Sequence, residues 1–566
     1  MAITDYSTSA ASNTALGAIP VGPNMERNKV NDAFQQLMAD VASYKNSITG
    51  IIHAKDRGLA TGGTAAANLT ALKSAIAATP TGGTLYIPEG TYTIDVTGGL
   101  SNAATLNKAM TLVIDGTLVA NGFAIQANPY YMFNVTADDV TIRGAGTLQG
   151  NGTKNDVNSG DTTTHPGLIY VQADRFVFNL SVVDVPKVGI VLASCYDAKI
   201  GGRWTGGPTA YSATGYFGII ATGGGRHIFD GCRAERDGSG GRHVNFIYTT
   251  NVAGNATECT VRNCYADVWE KLFYGSGAGH YVHDNEGIGS ETDWIRLQGD
   301  DCRVYRNKVT GGDGFCSAYD GKNIEICDNT ATDINQSGIF VGKLAGGYVG
   351  GFSGLKITGN VLLGDSGSGT LTNGLSILTD GIDTAGVLVA NNRVENFAAA
   401  VGEALIKVAA ASPYALSDVK IIGNKIGSTT RGGIVVDQML DSTIENNKAL
   451  SVGTFLSQSN SARLRWINNT GKTVTTKGVS GLESTSQATG NKYSDGALQG
   501  SATLVAGTVT VNTAEILAGD TVVVTVQAAG GTQGHLSIGT ITAGTSFVIN
   551  SSNAADTSTV FWRIEH

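Results

Sequence analysis

Between about residue 228 and residue 491 the apolar positions do not form helical stripes. They come as short runs of β-branched residues separated by Gly, Asn or Asp, as in "ICDN", "GIFVG", "LKITGN" and "GIVVD". Period-two alternation over a few residues, broken by turn formers, predicts short strands. A phrase ending near an Asn repeats along with them. "TVRNCY", "YVHDNEG", "VYRNKV" and "EICDNT" place Asn263, Asn285, Asn307 and Asn329 at intervals of 22 residues. "LKITGNV", "LVANNRV" and "VKIIGNKI" continue with Asn360, Asn392 and Asn424 at intervals of 31, 32 and 32. "TIENNKA", "RWINNT" and "QATGNKY" follow with Asn447, Asn469 and Asn491 at 23, 22 and 22. Gly231 holds the same slot 32 residues before Asn263, with weaker matches at Gly202, Asn179 and Gly144.

A period in the low twenties with occasional insertions of about ten residues is a solenoid signature. Each unit is too short for a βαβ crossover, and no leucine-rich frame appears. The pattern predicts an all-β chain, a right-handed parallel β-helix with three short strands per coil and a rise of about 4.8 Å per coil. The recurring Asn is read as a corner residue. It tolerates a left-handed turn, and its side-chain amide can bond the Asn of the next coil.

The ends follow other patterns. In "NDAFQQLMADVASY", residues 31–44, Phe34, Leu37, Met38 and Val41 share one helical face behind a potential N-cap, Asn31. Residues 1–50 read as a separate module. Residues 51–100 contain a short amphipathic helix (Leu69, Leu72, Ile76) and then two strands in "GGTLYIPEGTYTI", a cap for the open end of a coil. The β-helix is expected over 101–496. Residues 497–566 alternate at period two with a turn every ten or so residues, which predicts an antiparallel β-sandwich.

Composition narrows the function. Gly is 77 of 566 residues, about twice the usual share, and charge is low. The net charge of −9 argues against nucleic acid or an anionic membrane as partner, since both reward clustered Lys and Arg. No run of about 18 apolar residues predicts a membrane span. "MAITDYSTSA" shows no secretory signal. The seven Cys show no paired knuckles and read as small buried hydrophobes of a chain made in a reducing cytosol. His280 and His283 match an HxxH spacing without a third ligand, so neither a metal nor a cofactor is expected. Asp300-Asp301 reads as a turn.

The ends carry a resemblance. "GGTLYIPEGTYTI" resembles the opening of the pectate-lyase-like β-helix superfamily. "VGPNMERNKVNDAFQQLMADV" resembles the attachment segments of bacteriophage tail proteins, and the last seventy residues, ending "ADTSTVFWRIE", resemble a C-terminal module of phage tailspikes. The resemblance is to tailspike depolymerases. It implies a homotrimer on the virion tail, made in the host cytoplasm and attached through residues 1–50, that binds and usually cuts a host surface polysaccharide outside the cell. It hands over no catalytic residue, because tailspikes place their sites differently, and "GDDC" at 299–302 stands without the further polygalacturonase motifs.

The candidate chemistry therefore comes from stacking. Six positions past the repeat slot lie Asp237, Trp269, Glu291, Asp313 and Asn335, with Glu270, Asp293 and Trp294 nearby. Glycoside hydrolysis needs two carboxyl groups about 5–5.5 Å apart for retention or 6.5–9.5 Å for inversion. Acids one or two coils apart meet that spacing. Glu270, Glu291, Asp293, Asp313 and Asp237 are the catalytic candidates. Trp269 and Trp294 suit sugar stacking, Arg242 and Arg296 an acidic sugar, and His243 and Tyr274 further contacts. Lys271, Tyr274, His243 and Arg296 leave a polysaccharide lyase open, and idle carboxylates would leave a non-cleaving adhesin.

Overall fold

The computed structural model describes residues 15–16, 19–20, 50–121, 131–150, 167–185, 188–206, 217–236, 243, 245–249, 256–289, 291–319, 321–342, 352–365, 372–379, 384–397, 403–493, 498–513 and 515–565. The helix expected over 31–44 lies outside them. The chain divides into two compact units, Met1–Val244 with Thr250–Ala256, and Asn245–Thr249 with Thr257–His566.

The first unit carries a helix, Ala65–Ala78, whose N-cap Thr64 accepts the Ala67 N–H at 3.2 Å. Its Leu69, Leu72 and Ile76 are buried, as their spacing predicts. Asn68, also buried, ties the helix to the coil through the Thr93 carbonyl at 3.2 Å. Thr84–Ile87 and Thr91–Asp95 pair in parallel with Met110–Ile114 and Thr117–Asn121, and parallel coils follow. Gly144 makes one tight corner: at φ 144° a Cβ there would sit 2.0 Å from the Ile114 carbonyl oxygen.

The second unit repeats three strands per coil. Tyr281–His283, Glu286–Ile288 and Asp293–Gln298 stack in parallel on Arg303–Tyr305, Lys308–Thr310 and Gly314–Tyr319. At the corner between the first two strands, two adjacent residues divide the work that the repeat assigned to one. The left-handed residue comes first: Asn263, Asp284, Arg306, Asp328 and Gly359 have φ between 53° and 69°. The ladder residue follows it. The Asn307 amide donates to the Asn329 Oδ1 at 2.9 Å and to the Val282 carbonyl at 2.9 Å. Its Oδ1 accepts the Asn285 N–H at 3.2 Å and the Asn285 amide at 2.8 Å. The same pattern runs through Asn329, Asn360, Asn392, Asn424, Asn447 and Asn469 to Asn491.

This corrects the alignment at its N-terminal end. Asn263 is the left-handed residue, and Cys264 holds the ladder position, its N–H donating to Asn285 Oδ1 at 2.9 Å. Gly231 is likewise the left-handed residue, at φ 67°, with Cys232 next to it. Asn suits both positions, so composition did not separate them. All seven Cys are free thiols; six are buried and Cys327 is half-buried.

From residue 498 the described strands are antiparallel. Gln499–Thr503, Thr559–Glu565 and Thr521–Ala528 form one antiparallel sheet, and Thr508–Asn512, Ser546–Ser551 and Leu536–Thr542 another. Phe547, Ile549, Val560, Trp562 and Ile564 fill the core of this sandwich. Among the described residues no helix is long and apolar enough to cross a membrane.

Two outcomes follow. Asn307→Ala leaves the buried Asn285 N–H without its acceptor and removes the side-chain bonds to the Asn285 amide, Asn329 Oδ1 and the Val282 carbonyl, so stability falls by about 4 kcal/mol, as four lost buried bonds at roughly 1 kcal/mol each; the solvent-exposed Lys308→Ala changes it by less than about 0.5 kcal/mol. Denaturant midpoints read both. Burial pushes the buried His280 imidazole from 6.5 down to about 4. The unfolded chain takes up that proton first, so the stabilisation is complete above about pH 6.5 and is lost as pH falls toward 4, on the order of 3 kcal/mol. A His280→Asn chain loses that component of the pH dependence.

Candidate active site

Four strands on consecutive coils build the site: Lys271–Ser276, Asp293–Gln298, Gly314–Tyr319 and Ser337–Gly342. Tyr274, Arg296, Ser317 and Phe340 stand in register across them, as do Asp293, Gly314 and Ser337. Asn245–Thr249 precedes them, with Asn245 opposite Lys271 and Tyr248 opposite Tyr274. Near its start each of the four strands has two consecutive buried residues: Leu272-Phe273, Trp294-Ile295, Phe315-Cys316 and Gly338-Ile339. In Asp293–Gln298 alternation begins only after them.

The turn before each strand sets which acids meet. From the ladder residue to the strand there are seven positions for Cys264 to Lys271 and Asn307 to Gly314, and eight for Asn285 to Asp293 and Asn329 to Ser337. Counted from the ladder, Glu270, Glu291 and Asp313 occupy the sixth position on three consecutive coils. Trp269, which the alignment on Asn263 put there, lies one residue earlier; its carbonyl accepts the Glu291 N–H at 2.7 Å. Consecutive coils lie about 4.8 Å apart, which puts acids of neighbouring coils within reach of one sugar linkage; the unequal turns keep them from one strict column, since Asp293 at the eighth position pairs with Gly314 at the seventh.

Asp293 is saturated. Arg296 donates to it twice, Nε to Oδ2 at 2.8 Å and Nη2 to Oδ1 at 2.6 Å, and the Ser317 hydroxyl donates to Oδ2. Lys271 Nζ lies 3.7 Å from Oδ1. Burial alone would raise this carboxyl, but the Arg296, Lys271 and Ser317 donors outweigh it and hold it below the ordinary range. Lys271 is only 3% exposed and also reaches Glu270 Oε2 at 3.4 Å and Thr292 Oγ1 at 3.0 Å. Glu270 Oε2 accepts from the Asn245 amide at 3.1 Å as well. The Arg296 guanidinium sits between two rings, 5.4 Å from Tyr274 and 5.2 Å from Tyr319. Tyr274 in turn meets Tyr248 edge-on at 4.7 Å.

Beside this cluster opens a recess of about 280 Å³ lined by Glu291, Asp293, Asp313, Ser317, Tyr319 and Phe340, among others. Glu291 is exposed. Asp313 Oδ2 accepts the Gln336 amide at 2.7 Å. Partial burial raises the Asp313 carboxyl above its ordinary value, and a hydrogen bond from Asn335 offsets only part of that. The recess thus sets a carboxyl pushed toward protonation, Asp313, beside the exposed Glu291, with Asp293 held ionised by its donors.

The structure brings Glu291, Asp293 and Asp313 to one recess, with Glu270, Arg296 and Tyr274 in the network beside it. It removes two expected sugar contacts. Trp294 is fully buried, because it falls on the paired buried positions near the strand start rather than on the outward alternation; the ring lies where a Cβ on Gly287 would be 2.4 Å away. His243 is 1% exposed, and burial pushes it down to about 4. Asp237 and Arg242 lie outside the described residues. His280 is buried, with its Nδ1 accepting the Cys259 N–H at 3.3 Å, while His283 stacks on Tyr305 at 4.6 Å. Asp300 Oδ1 accepts the Lys322 N–H at 2.8 Å, and Asp301 has φ 56°, as a turn requires. Residues the repeat did not single out are Ser317, Tyr319, Gln336 and Phe340. Their signal was register: each sits on the coil or coils after Asp293.

Residues 496–565 match the family K1 capsule-specific polysaccharide lyase, C-terminal domain. None of the curated proteins matches the chain. Among solved structures, a family 28 exopolygalacturonase of Yersinia enterocolitica is similar at 12% identity, covering 74% of this chain and 78% of its own, with a TM-score of 0.42. The Streptococcus pneumoniae surface protein and adhesin PfbA is similar at 15% identity, covering 74% and 100%, with a TM-score of 0.43. A mutant tailspike of E. coli bacteriophage HK620 in complex with pentasaccharide is similar at 12% identity, covering 92% and 94%, with a TM-score of 0.43.

Asp293→Ala strands two largely enclosed cations. Stability is expected to fall by about 3–5 kcal/mol, as for a broken buried ion pair. Replacing the exposed Glu291 by Gln leaves the denaturation midpoint within about 0.5 kcal/mol of the parent.

Proposed function

We propose that the recess is the active site of a polysaccharide depolymerase that cuts a host surface glycan by hydrolysis. The observation that carries this reading is the paired environment of the acids: Asp313 raised by burial beside an exposed Glu291, with Asp293 fully engaged by Arg296, Lys271 and Ser317. Asp313 then serves as the general acid that protonates the glycosidic oxygen. Glu291, from the preceding coil, acts at the anomeric carbon, directly or through water. Glu270 and Asp293 act as positioning groups that hold Lys271 and Arg296. The match of residues 496–565 to a domain of a capsule-specific lyase supports a surface polysaccharide as substrate. The resemblance of the two ends supports a trimer carried on a phage tail through residues 1–50.

That same match favours one second reading, a polysaccharide lyase. A lyase needs a free base and a cation for the substrate carboxylate. Lys271 and Arg296 are the cations at hand, and both are held by carboxylates of the protein.

Purified host capsule or O-polysaccharide, incubated with the protein, is followed for new reducing ends and for the ultraviolet absorbance of an unsaturated uronate. Hydrolysis gives reducing ends alone. Both signals rising together identify a lyase, and binding without either identifies an adhesin. Asp313→Asn and Glu291→Gln each lower kcat by at least about a hundredfold, the usual contribution of a general acid or base; unchanged turnover in either removes that residue from the mechanism. Activity persists above the ordinary carboxylate range and falls as Asp313 finally loses its proton.

A further inference from the structure

The recess also indicates what kind of sugar it takes, an inference that rests on the hydrolytic reading above. Around it, among the described residues, Glu270, Glu291, Asp293 and Asp313 face the cations Lys271 and Arg296. Both cations are already engaged. Lys271, 3% exposed, lies 3.4 Å from Glu270 and 3.7 Å from Asp293. Arg296 gives Nε and Nη2 to Asp293, and the rings of Tyr274 and Tyr319 flank its guanidinium.

What faces a ligand is therefore Glu291, Asp313, neutral hydrogen-bonding groups (Ser337 and Gln336) and the ring of Phe340. Among the described residues, a uronate or sialate carboxylate placed here would meet the Glu291 carboxylate and the Asp313 carboxyl and no uncommitted cation. At close range in a partly desolvated cleft, like charges repel strongly. Hydroxyl and acetamido groups, with an apolar C–H face for the ring, fit the same lining. We infer that the sugar bound at the point of cleavage is uncharged, a hexose, deoxyhexose or N-acetylhexosamine, even where the polymer carries acidic sugars elsewhere.

The test uses the full chain and a carboxylate-bearing host polysaccharide, native and after carbodiimide–borohydride reduction of its carboxylates to alcohols. Both forms are expected to be cut at rates within roughly twofold, a difference well under 1.4 kcal/mol. Mass spectrometry of the products is expected to show a neutral sugar at each new end. Loss of cleavage on reduction, or an acidic sugar at a new end without unsaturation, overturns the inference and leaves a hydrolase. An unsaturated acidic end overturns both readings. If neither form is cut, the two are compared for binding to Asp313→Asn by surface plasmon resonance. Equal affinity supports the inference, and a loss of more than about tenfold on reduction overturns it. Absence of binding to both forms overturns the polysaccharide reading and this inference together.

Discussion

The corner of each coil in the second unit sets the condition on which that coil depends. There the backbone leaves one strand and starts another, and the N–H of the ladder residue is buried. It bonds not to another backbone group but to an Asn side chain one coil further on, as Asn307 does to Asn329 at 2.9 Å. A buried donor without a partner is costly, so the side chain is held to one residue type over many coils. The amide meets three needs at once: it accepts from the previous coil, donates to the next, and closes a strand carbonyl of the previous coil. The residue before it takes the left-handed conformation and points outward. There, Asp284 and Arg306 pair at 2.7 Å on the surface, where such a pair contributes little.

Because the ladder holds consecutive coils in step, the strands that follow it stack in register, as Asp293, Gly314 and Ser337 do. A parallel coil thus makes columns of equivalent residues at strand spacing. Most columns are apolar inside and small or polar outside. The acids Glu270, Glu291 and Asp313, on three consecutive coils, depart from this, and the structure gives them different fates. Glu270 is drawn aside by Lys271 and Asn245. Glu291 stays in solvent. Asp313 is partly enclosed on the following coil.

The neighbouring Asp293 shows why nearness of acids is not the same as catalysis. With four donors around it, it resembles the fixed member of a buried ion cluster more than a free carboxylate. Its service is to orient Arg296 against Tyr274 and Tyr319 and to keep charge balanced under the recess. The chemistry falls to the acids that the cluster leaves alone.

The solenoid, its strand triplets, the helix bearing Leu69, Leu72 and Ile76, and the terminal sandwich could all be read from the chain itself. Each is a local period, and burial of one face enforces a local period. The general location of the acids was legible for the same reason. Three things were decided only in three dimensions. Asn263 and Cys264 exchange roles because a left-handed residue and a ladder residue are adjacent and both accept Asn. The turns before the strands alternate between seven and eight residues, so a count at constant spacing cannot say which acids are neighbours. And Trp294 is buried because two consecutive buried positions lie near the strand start before alternation sets in. In each case the outcome depends on what the next coil presents, and sequence period alone does not carry that contact.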